Sequence, residues 1–355
     1  MALEREVPPL PNGWFAVAWA DDLKPGEVKP LRCLERDLVI FRARNGSVGV
    51  LDAYCPHLGA HLGFGRVEGD RIICPFHHWE FDVAGVCQKI PHTKTIPKKA
   101  ALAVWPVRET NRVIQIYHHA AQHPAINEPA TFAPLEANGW TVCGRDQYRL
   151  RSHPYDLAEN GADEVHLRTV HGSTVVSSRL VENESEFATY FELAPMLGRH
   201  RLPLRVALET HIRELGHMII TVHIGQRISF HIVEYMTPVE RDLVEVRHLY
   251  LVKSGHGVLG TTAYLAGRVV LRFALANSDR DKPIWNHKSF RRSPVLSEGD
   301  GMLGRFRRWA RRFYQVDGEA TGGSEREISE RNSGTARGDA VVLSAQQPAP
   351  HWGES

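Results

Sequence analysis

Four residues in the first quarter of the chain could hold a redox metal centre. Cys55-Pro56-His57 and Cys74-Pro75-Phe76-His77 each set one thiolate and one imidazole in a short turn stiffened by proline, and sixteen residues separate the two turns. Two Cys and two His can close a tetrahedral zinc site. They can also hold a [2Fe–2S] cluster, with both thiolates on one iron and both imidazoles on the other, which raises its potential to about −150 to +300 mV. Zinc knuckles usually offer like ligands from each element. Here each turn carries one of each kind, so each loop can reach both irons of a planar cluster. The spacing favours the cluster.

A second set of ligand types lies in ENGADEVHLRTVHG, Glu159 to Gly172. Asn160, Asp163 and His166 recur at intervals of three and share one helical face. His171 is five beyond His166, which turns it about 140° around an ideal helix. Both imidazoles reach one ion only if the helix ends or distorts between them, and Gly172 supplies a stop. Taken alone, D-x-x-H and H-x4-H are short patterns that a solvated amphipathic helix also carries.

The elements that must position these residues fall into two groups. From Trp14 to Tyr117, brief apolar runs (Phe15-Ala-Val-Ala, Leu38-Val-Ile-Phe, Val48-Gly-Val-Leu, Val113–Tyr117) alternate with turns at Pro25-Gly26, Asn45-Gly46 and Glu68-Gly69-Asp70. This predicts a small all-β module over residues 1–118 that carries the two loops. Asn45-Gly46 reads as a hairpin turn, since both residues tolerate positive φ. Residues 119–138, rich in Pro, Ala and polar side chains, read as a solvated linker whose histidines have no fixed geometry. A second domain follows over 139–315. A strand at Trp140 and a helix from near Pro154 precede alternating runs at Arg205–Ile212, Met218–Ile224, Ser229–Met236 and Leu243–Val252, the pattern of an antiparallel sheet. Helices are expected at 257–277 and 301–314, the last with an apolar stripe of Leu303, Phe306, Trp309 and Phe313 among arginines. The segment 316–355 is poor in apolar residues and reads as a disordered tail. The fold class is α+β.

Composition excludes several functions. The chain has 355 residues, 43% hydrophobic and 24% charged, with a formal net charge of +2, so no global electrostatic argument favours nucleic acid. No basic region leads into an apolar core at the N-terminus, so no signal peptide is expected. Val258 to Ala276 is interrupted by Arg268 and Arg272, so no transmembrane segment is expected either. Cys33, Cys87 and Cys143 lack a disulfide rhythm, which points to a reducing, cytoplasmic setting.

The full pattern C-x-H, sixteen residues, C-x-x-H, with Pro after each Cys and Trp79 two beyond His77, resembles the cluster loops of the Rieske non-haem iron oxygenases. E-N-x-x-D-x-x-H-x4-H resembles their iron-binding helix. CPHLGAHLG, and later IWNHK, SPVLSEGDG and RFRRWARRFY, resemble the branch containing bacterial 3-ketosteroid 9α-hydroxylase and cholesterol 7-desaturase. The resemblance implies a Rieske domain followed by a catalytic domain of helix-grip type. It assigns Cys55, His57, Cys74 and His77 to a [2Fe–2S] cluster, and His166, His171 and Asp281 to a mononuclear Fe(II) with open positions for O2. Asp279 is the alternative third ligand; either acid could instead pair with Arg280 or Lys282. Asp163, with Asn160 beside it, is implied to pass electrons between centres by linking His166 to the partner subunit's His57 or His77, which entails a head-to-tail homotrimer.

The implied activity is monooxygenation of a C–H bond in a hydrophobic, polycyclic or steroid-like substrate. Electrons would come from NAD(P)H through a flavin reductase, directly or through a ferredoxin. Desaturation or oxidative cyclisation is the alternative within the family. A Rieske electron carrier is the non-enzymatic alternative and would need no second metal. One departure stands out: His78 follows the last cluster ligand where relatives commonly carry Gly.

Overall fold

The computed structural model describes residues 6–136, 139–194, 196–197, 200–201, 205–225, 228–253 and 258–314. Short apolar runs punctuated by turns build three small antiparallel sheets on the N-terminal side. β1 (Gly13–Trp19) pairs with β10 (Val113–His118), which pairs with β9 (Val107–Thr110). β2 (Val28–Cys33), β3 (Arg36–Arg42) and β4 (Val48–Asp52) form the second sheet. The third comprises β5 (Arg66–Glu68), β6 (Arg71–Ile73), β7 (Glu80–Phe81) and β8 (Cys87–Lys89). At the β3–β4 turn only Gly46 takes a positive φ, of 94°. The Asn45 side chain instead accepts the Ser47 backbone N–H at 2.9 Å, giving a wider turn than the two-residue hairpin expected.

Residues 119–132 do not run free between the two halves. The Trp14 indole N–H donates to Asn127 O at 2.9 Å, and Asn111 Nδ2 donates to Ala130 O at 2.7 Å. Phe132 is buried at the boundary, just before α1 (Ala133–Glu136). One aromatic anchor and two backbone acceptors in a polar stretch are easily overlooked in composition, and they turn the expected linker into a strap.

The second half is a seven-stranded antiparallel sheet in the order β11-β19-β18-β17-β16-β13-β12. The four alternating runs appear as β16 (Val206–Glu214), β17 (His217–Ile224), β18 (Ile228–Glu240) and β19 (Leu243–Lys253). β11 (Trp140–Leu150) extends one edge; β13 (Phe187–Ala194) and β12 (Thr174–Glu182) extend the other. The two-residue strands β14 (Met196–Leu197) and β15 (His200–Arg201) pair with each other.

One face of this sheet meets the N-terminal half. Val233, Tyr235, Leu249 and Leu251 pack with Ala16, Trp19 and Val113. Arg247, buried at this boundary, donates to Ala16 O and Val17 O, both at 2.9 Å, which satisfies two β1 carbonyls. Gly216 lies so close that a Cβ would sit 2.0 Å from Trp14 O, so only glycine fits. The other face carries the helices α2 (Pro154–Asn160), α3 (Glu164–Thr169), α4 (Val258–His287) and α5 (Gly301–Ala310). Leu157, Trp285, Phe306 and Trp309 cover one part of it, and Leu271 of α4 covers another. The expected helix ending at 277 instead continues ten residues further as one 30-residue α4, with Pro283 inside it. In α5, Arg305 pairs with Glu182 and Arg307 with Glu159, so part of the basic face is used internally. The tail 316–355 lies outside the described residues.

Candidate metal centres

The first candidate centre is built at one end of the N-terminal half by the loop after β4 and the loop joining β6 to β7. In the first loop the Cys55 N–H donates to Ala60 O and the Gly59 N–H returns to Cys55 O, both at 2.9 Å. In the second, the Cys74 N–H donates to Trp79 O at 2.9 Å and the His78 N–H to Cys74 O at 3.2 Å. Two closed turns thus face each other. They sort their ligands by kind: Cys55 and Cys74 are 2% and 1% exposed and pack in the core, while His57 is exposed and His77 half-buried. The imidazoles are neighbours, with ring centroids 4.5 Å apart. His57 stacks on Trp79 at 4.7 Å and 8°, which fixes its plane. Burial, with the Cys74 thiol adjacent, pushes the Cys55 thiol up to about 12, so a thiolate at Cys55 calls for a cation beside it. A thiol pair inside and an imidazole pair outside fits a two-iron cluster with one pair on each iron, and does not fit four ligands converging on zinc. His78 takes φ 57°, the left-handed region in which Gly is at ease.

The second candidate centre forms where the Glu159–Gly172 segment breaks. The segment is two helices, not one. His153 caps α2, accepting the Tyr155 N–H at 3.1 Å, and α2 ends at Asn160. Asp163 then caps α3, its Oδ1 accepting the His166 backbone N–H at 2.9 Å. Asp163 and His166 are therefore related as cap and third helical residue, not as neighbours on a helix face. α3 stops at Thr169, so His171 lies just past the helix end with its ring against that of His166, and Gly172, at φ 66°, turns the chain after it.

The two imidazoles meet edge to face with Nε2 atoms 2.9 Å apart. Asp281 reaches them from α4, its Oδ1 3.1 Å from His166 Nε2 and 3.4 Å from His171 Nε2. Burial would raise the Asp281 pKa, but the two imidazoles outweigh it and hold the carboxyl below its ordinary value. Asp281 Oδ1 is buried and accepts no well-directed hydrogen bond from the described residues. Three lone-pair atoms face one another across these distances, as they would around a cation. Two bonds of about 2.1 Å at a right angle end about 3 Å apart, close to the observed edges. Asn160 Nδ2 stands 3.3 Å from His166 Nε2. Asp279, by contrast, is mostly exposed and pairs with Lys282 at 2.7 Å. Among the described residues this is the single convergence of three or more metal-ligating side chains. In the strap, the His119 and His123 rings stack at 4.6 Å, and His119 Nδ1 accepts the Ala121 N–H at 3.2 Å.

Sequence reading missed a polar row beside this site, buried at His248 and Glu234 and half-buried at Asp146. Asp146, His248 and Glu234 lie directly across β11, β19 and β18, on the helix-facing side of the sheet. His248 Nδ1 contacts Asp146 Oδ1 at 2.8 Å and its Nε2 contacts Glu234 Oε2 at 2.9 Å. The available signal was positional: Glu234 and His248 occupy inward positions in strands otherwise filled by apolar side chains.

Comparison with known proteins bears on both centres. The family model of the Rieske [2Fe-2S] domain matches residues 13–106, and that of the 3-ketosteroid 9alpha-hydroxylase C-terminal domain matches residues 116–314. Cholesterol 7-desaturase nvd 1 of Ciona intestinalis is 30% identical over 334 residues, covering 87% of this chain and 70% of that protein. The oxygenase component of 3-ketosteroid-9-alpha-monooxygenase from Rhodococcus rhodochrous is 28% identical over 324 residues, covering 85% of this chain and 81% of the other. A crystal structure of dicamba monooxygenase bound to 3,6-dichlorosalicylic acid shares the fold, with TM-score 0.73, 18% identity, and coverage of 87% of this chain and 98% of that one.

Proposed function

The chain belongs to the Rieske-type oxygenases of the 3-ketosteroid 9α-hydroxylase and cholesterol 7-desaturase branch, and from that premise we propose that it monooxygenates a C–H bond of an apolar, steroid-like polycycle. The observation that carries this reading is the convergence of His166, His171 and Asp281 on one point. Cys55 and Cys74 would hold one iron of the [2Fe–2S] cluster, His57 and His77 the other, and the three residues of the second centre an Fe(II). When bound, these groups supply single electrons and a metal with open positions for O2.

The protein's own residues bind, shield and connect. The buried thiol pair keeps water from one side of the cluster, and the stacked Trp79 holds His57 facing outward. At the other centre, α4 brings the one anionic ligand, and Asn160 offers an amide N–H donor beside the two imidazoles. Beside the imidazoles, the exposed Phe76 ring lies 3.8 Å from that of His77, and Leu58, next to His57 in the chain, is exposed too. Asp163 is half-exposed and borders a cleft of about 260 Å³. A surface of that kind on one half and a reachable carboxylate on the other support a head-to-tail homotrimer, in which Asp163 links His166 to the partner subunit's His57 or His77. A flavin reductase, with or without a ferredoxin, delivers electrons from NAD(P)H. No described helix is long and apolar enough to cross a membrane, and the five unbridged, buried cysteines support a cytoplasmic setting.

Reconstituted protein with candidate steroids, reductant and O2 tests the activity by product mass. A gain of sixteen mass units is expected; a loss of two makes the protein a desaturase or cyclase of the same family. His166→Ala and His171→Ala should abolish turnover while the visible cluster spectrum remains. Undiminished function of those variants in passing electrons to another oxygenase would instead make the protein a carrier. Cys55→Ser and His77→Ala should remove the spectrum, since thiolate and imidazole are direct ligands.

A further inference from the structure

Lys288 follows the last residue of α4, and its backbone N–H still donates to Ile284 O at 2.8 Å, so it continues the helical turn. Asp281 lies seven residues earlier on the same helix. Seven residues make nearly two full turns, so the two side chains leave α4 on one face, about 10 Å apart along it. That face meets the segment from Pro154 to Gly172 at two points. Asp281 meets His166 and His171. The Lys288 ammonium lies 3.0 Å from Asp156 Oδ1 and donates to Glu159 Oε2 at 3.0 Å, both acids belonging to α2.

The second point is a buried charge cluster. Asp156 and Glu159 are 2% and 6% exposed, and carboxylates so buried are costly unless cations face them. Lys288 supplies one cation from α4, and Arg307 supplies another from α5, 2.5 Å from Glu159 Oε1. Burial pulls the Lys288 pKa down, but the two carboxylates outweigh it and hold it above its ordinary value, so the ammonium keeps its charge. Of these two cations, Lys288 is the one that fastens α4; Arg307 also donates to Arg291 O, in the loop beyond that helix. Until a cation lies between them, Asp281 Oδ1 and the two imidazole Nε2 atoms face one another with lone pairs and hold α4 in place poorly. Trp285 shares an apolar cluster with Leu157 of α2, a non-directional contact that permits sliding.

Building on the assignment of His166, His171 and Asp281 to a metal, we infer that Lys288 is a positioning residue for that centre. Its grip on Asp156 and Glu159 sets the register of α4 against α2, so that Asp281 stands opposite the two imidazoles before a metal binds. A site assembled in advance binds more tightly than one its ligand must order, because no binding energy is consumed in the ordering. Glu159 adjoins Asn160, the last residue of α2, whose Nδ2 is 3.3 Å from His166 Nε2. The grip therefore bears on the histidine side of the site as directly as on the carboxylate side.

The test uses full-length protein with its cluster intact and its mononuclear iron removed by a chelator. Anaerobic equilibrium dialysis gives the Kd for Fe(II), and a parallel titration with Co(II) reports ligand geometry through its visible absorption. Lys288→Met should raise the Fe(II) Kd about tenfold or more and alter the Co(II) spectrum. Lys288→Arg, which keeps the charge, should bring the Kd back to within about threefold of wild type. Arg307→Met removes a cation from the same cluster without releasing α4; it should lower the thermal midpoint and leave the Kd and the Co(II) spectrum as in wild type. Should Lys288→Met fold poorly, Asp156→Asn/Lys288→Met removes one charge of each sign, leaves Glu159 to Arg307, and should show the same rise in Kd. A lower thermal midpoint with an unchanged Kd would make Lys288 a stabilising ion pair only. Equal rises in Lys288→Met and Arg307→Met would make general loosening of the helices the cause. Either result overturns the inference while the metal site stands. No saturable Fe(II) binding by wild type overturns the metal assignment and this inference with it.

Discussion

Asp163 Oδ1 accepts the backbone N–H of His166 at 2.9 Å, so the carboxylate proposed to connect the two centres also starts the helix that carries one of the metal-site histidines. The two jobs separate chemically. Asn caps a helix about as well as Asp, whereas Ala forfeits about 1 kcal/mol. Asp163→Asn should therefore keep the unfolding midpoint and both metals, with its carbonyl retained by the cap and a donor where the second oxygen was. Single-turnover oxidation of the reduced cluster, with substrate and O2, should slow by orders of magnitude. Asp163→Ala should show the same electron-transfer defect with lower stability. Normal cluster oxidation in Asp163→Asn would reduce Asp163 to a helix cap and remove the main argument for the trimer.

The third ligand is tested by paired substitutions on α4. Asp281 is buried against both imidazoles, while Asp279 points outward to Lys282. Asp281→Ala leaves two neutral imidazoles and should lower mononuclear iron occupancy severely, with the cluster spectrum intact. Asp279→Ala should change neither, since an exposed ion pair contributes about 0–1 kcal/mol. Iron and acid-labile sulfide analysis of the two proteins decides the assignment.

These residues also mark how far the sequence could be read. Ligand type and spacing located both metal-binding segments, and the five-residue interval between His166 and His171 demanded a helix break, which comes at Thr169, three residues before Gly172. The interval did not reveal that the chain breaks a second time at Gly161 and Ala162, because Asp163 reads as a helical residue as readily as a cap. Strands β16 to β19 were legible from alternation. β12, TVVSSRLVE, was not: it is an edge strand, largely exposed, with no apolar face to betray it. The row at Asp146, His248 and Glu234 depends on register across three strands that are far apart in sequence, and no local pattern encodes such an alignment.

His78 offers a test of backbone strain next to the cluster. A residue with a Cβ at φ 57° is disfavoured by roughly 1–2 kcal/mol relative to the right-handed region. Glycine removes that cost but gains freedom in the unfolded chain, so the net stabilisation from His78→Gly should be about 1 kcal/mol or less. The expected result is a small rise in the thermal midpoint of the holoprotein and slower loss of the cluster's visible absorption on heating. A fall in both would mean that the His78 side chain supports the loop through contacts worth more than the strain.

The last prediction concerns pH and the row at His248. Burial alone would push this imidazole down, but the Glu234 and Asp146 carboxylates on either side outweigh it and hold the pKa up at about 9. An ordinary histidine in the unfolded chain titrates near 6.5. A folded-state pKa raised above the unfolded one means that the folded protein keeps a proton the unfolded chain releases. The resulting stabilisation is complete below about pH 6.5 and is lost as pH rises through about 9. Its size is on the order of 3 kcal/mol. His248→Gln retains a neutral donor toward one carboxylate but cannot titrate. Thermal midpoints of wild type and variant should therefore differ most at pH 6 and converge by about pH 9.5. Titration of the cluster ligands is common to both proteins and cancels in the difference. A gap independent of pH would show that His248 is held neutral, so that its contacts to Asp146 and Glu234 are hydrogen bonds between an uncharged ring and two acids sharing protons of their own.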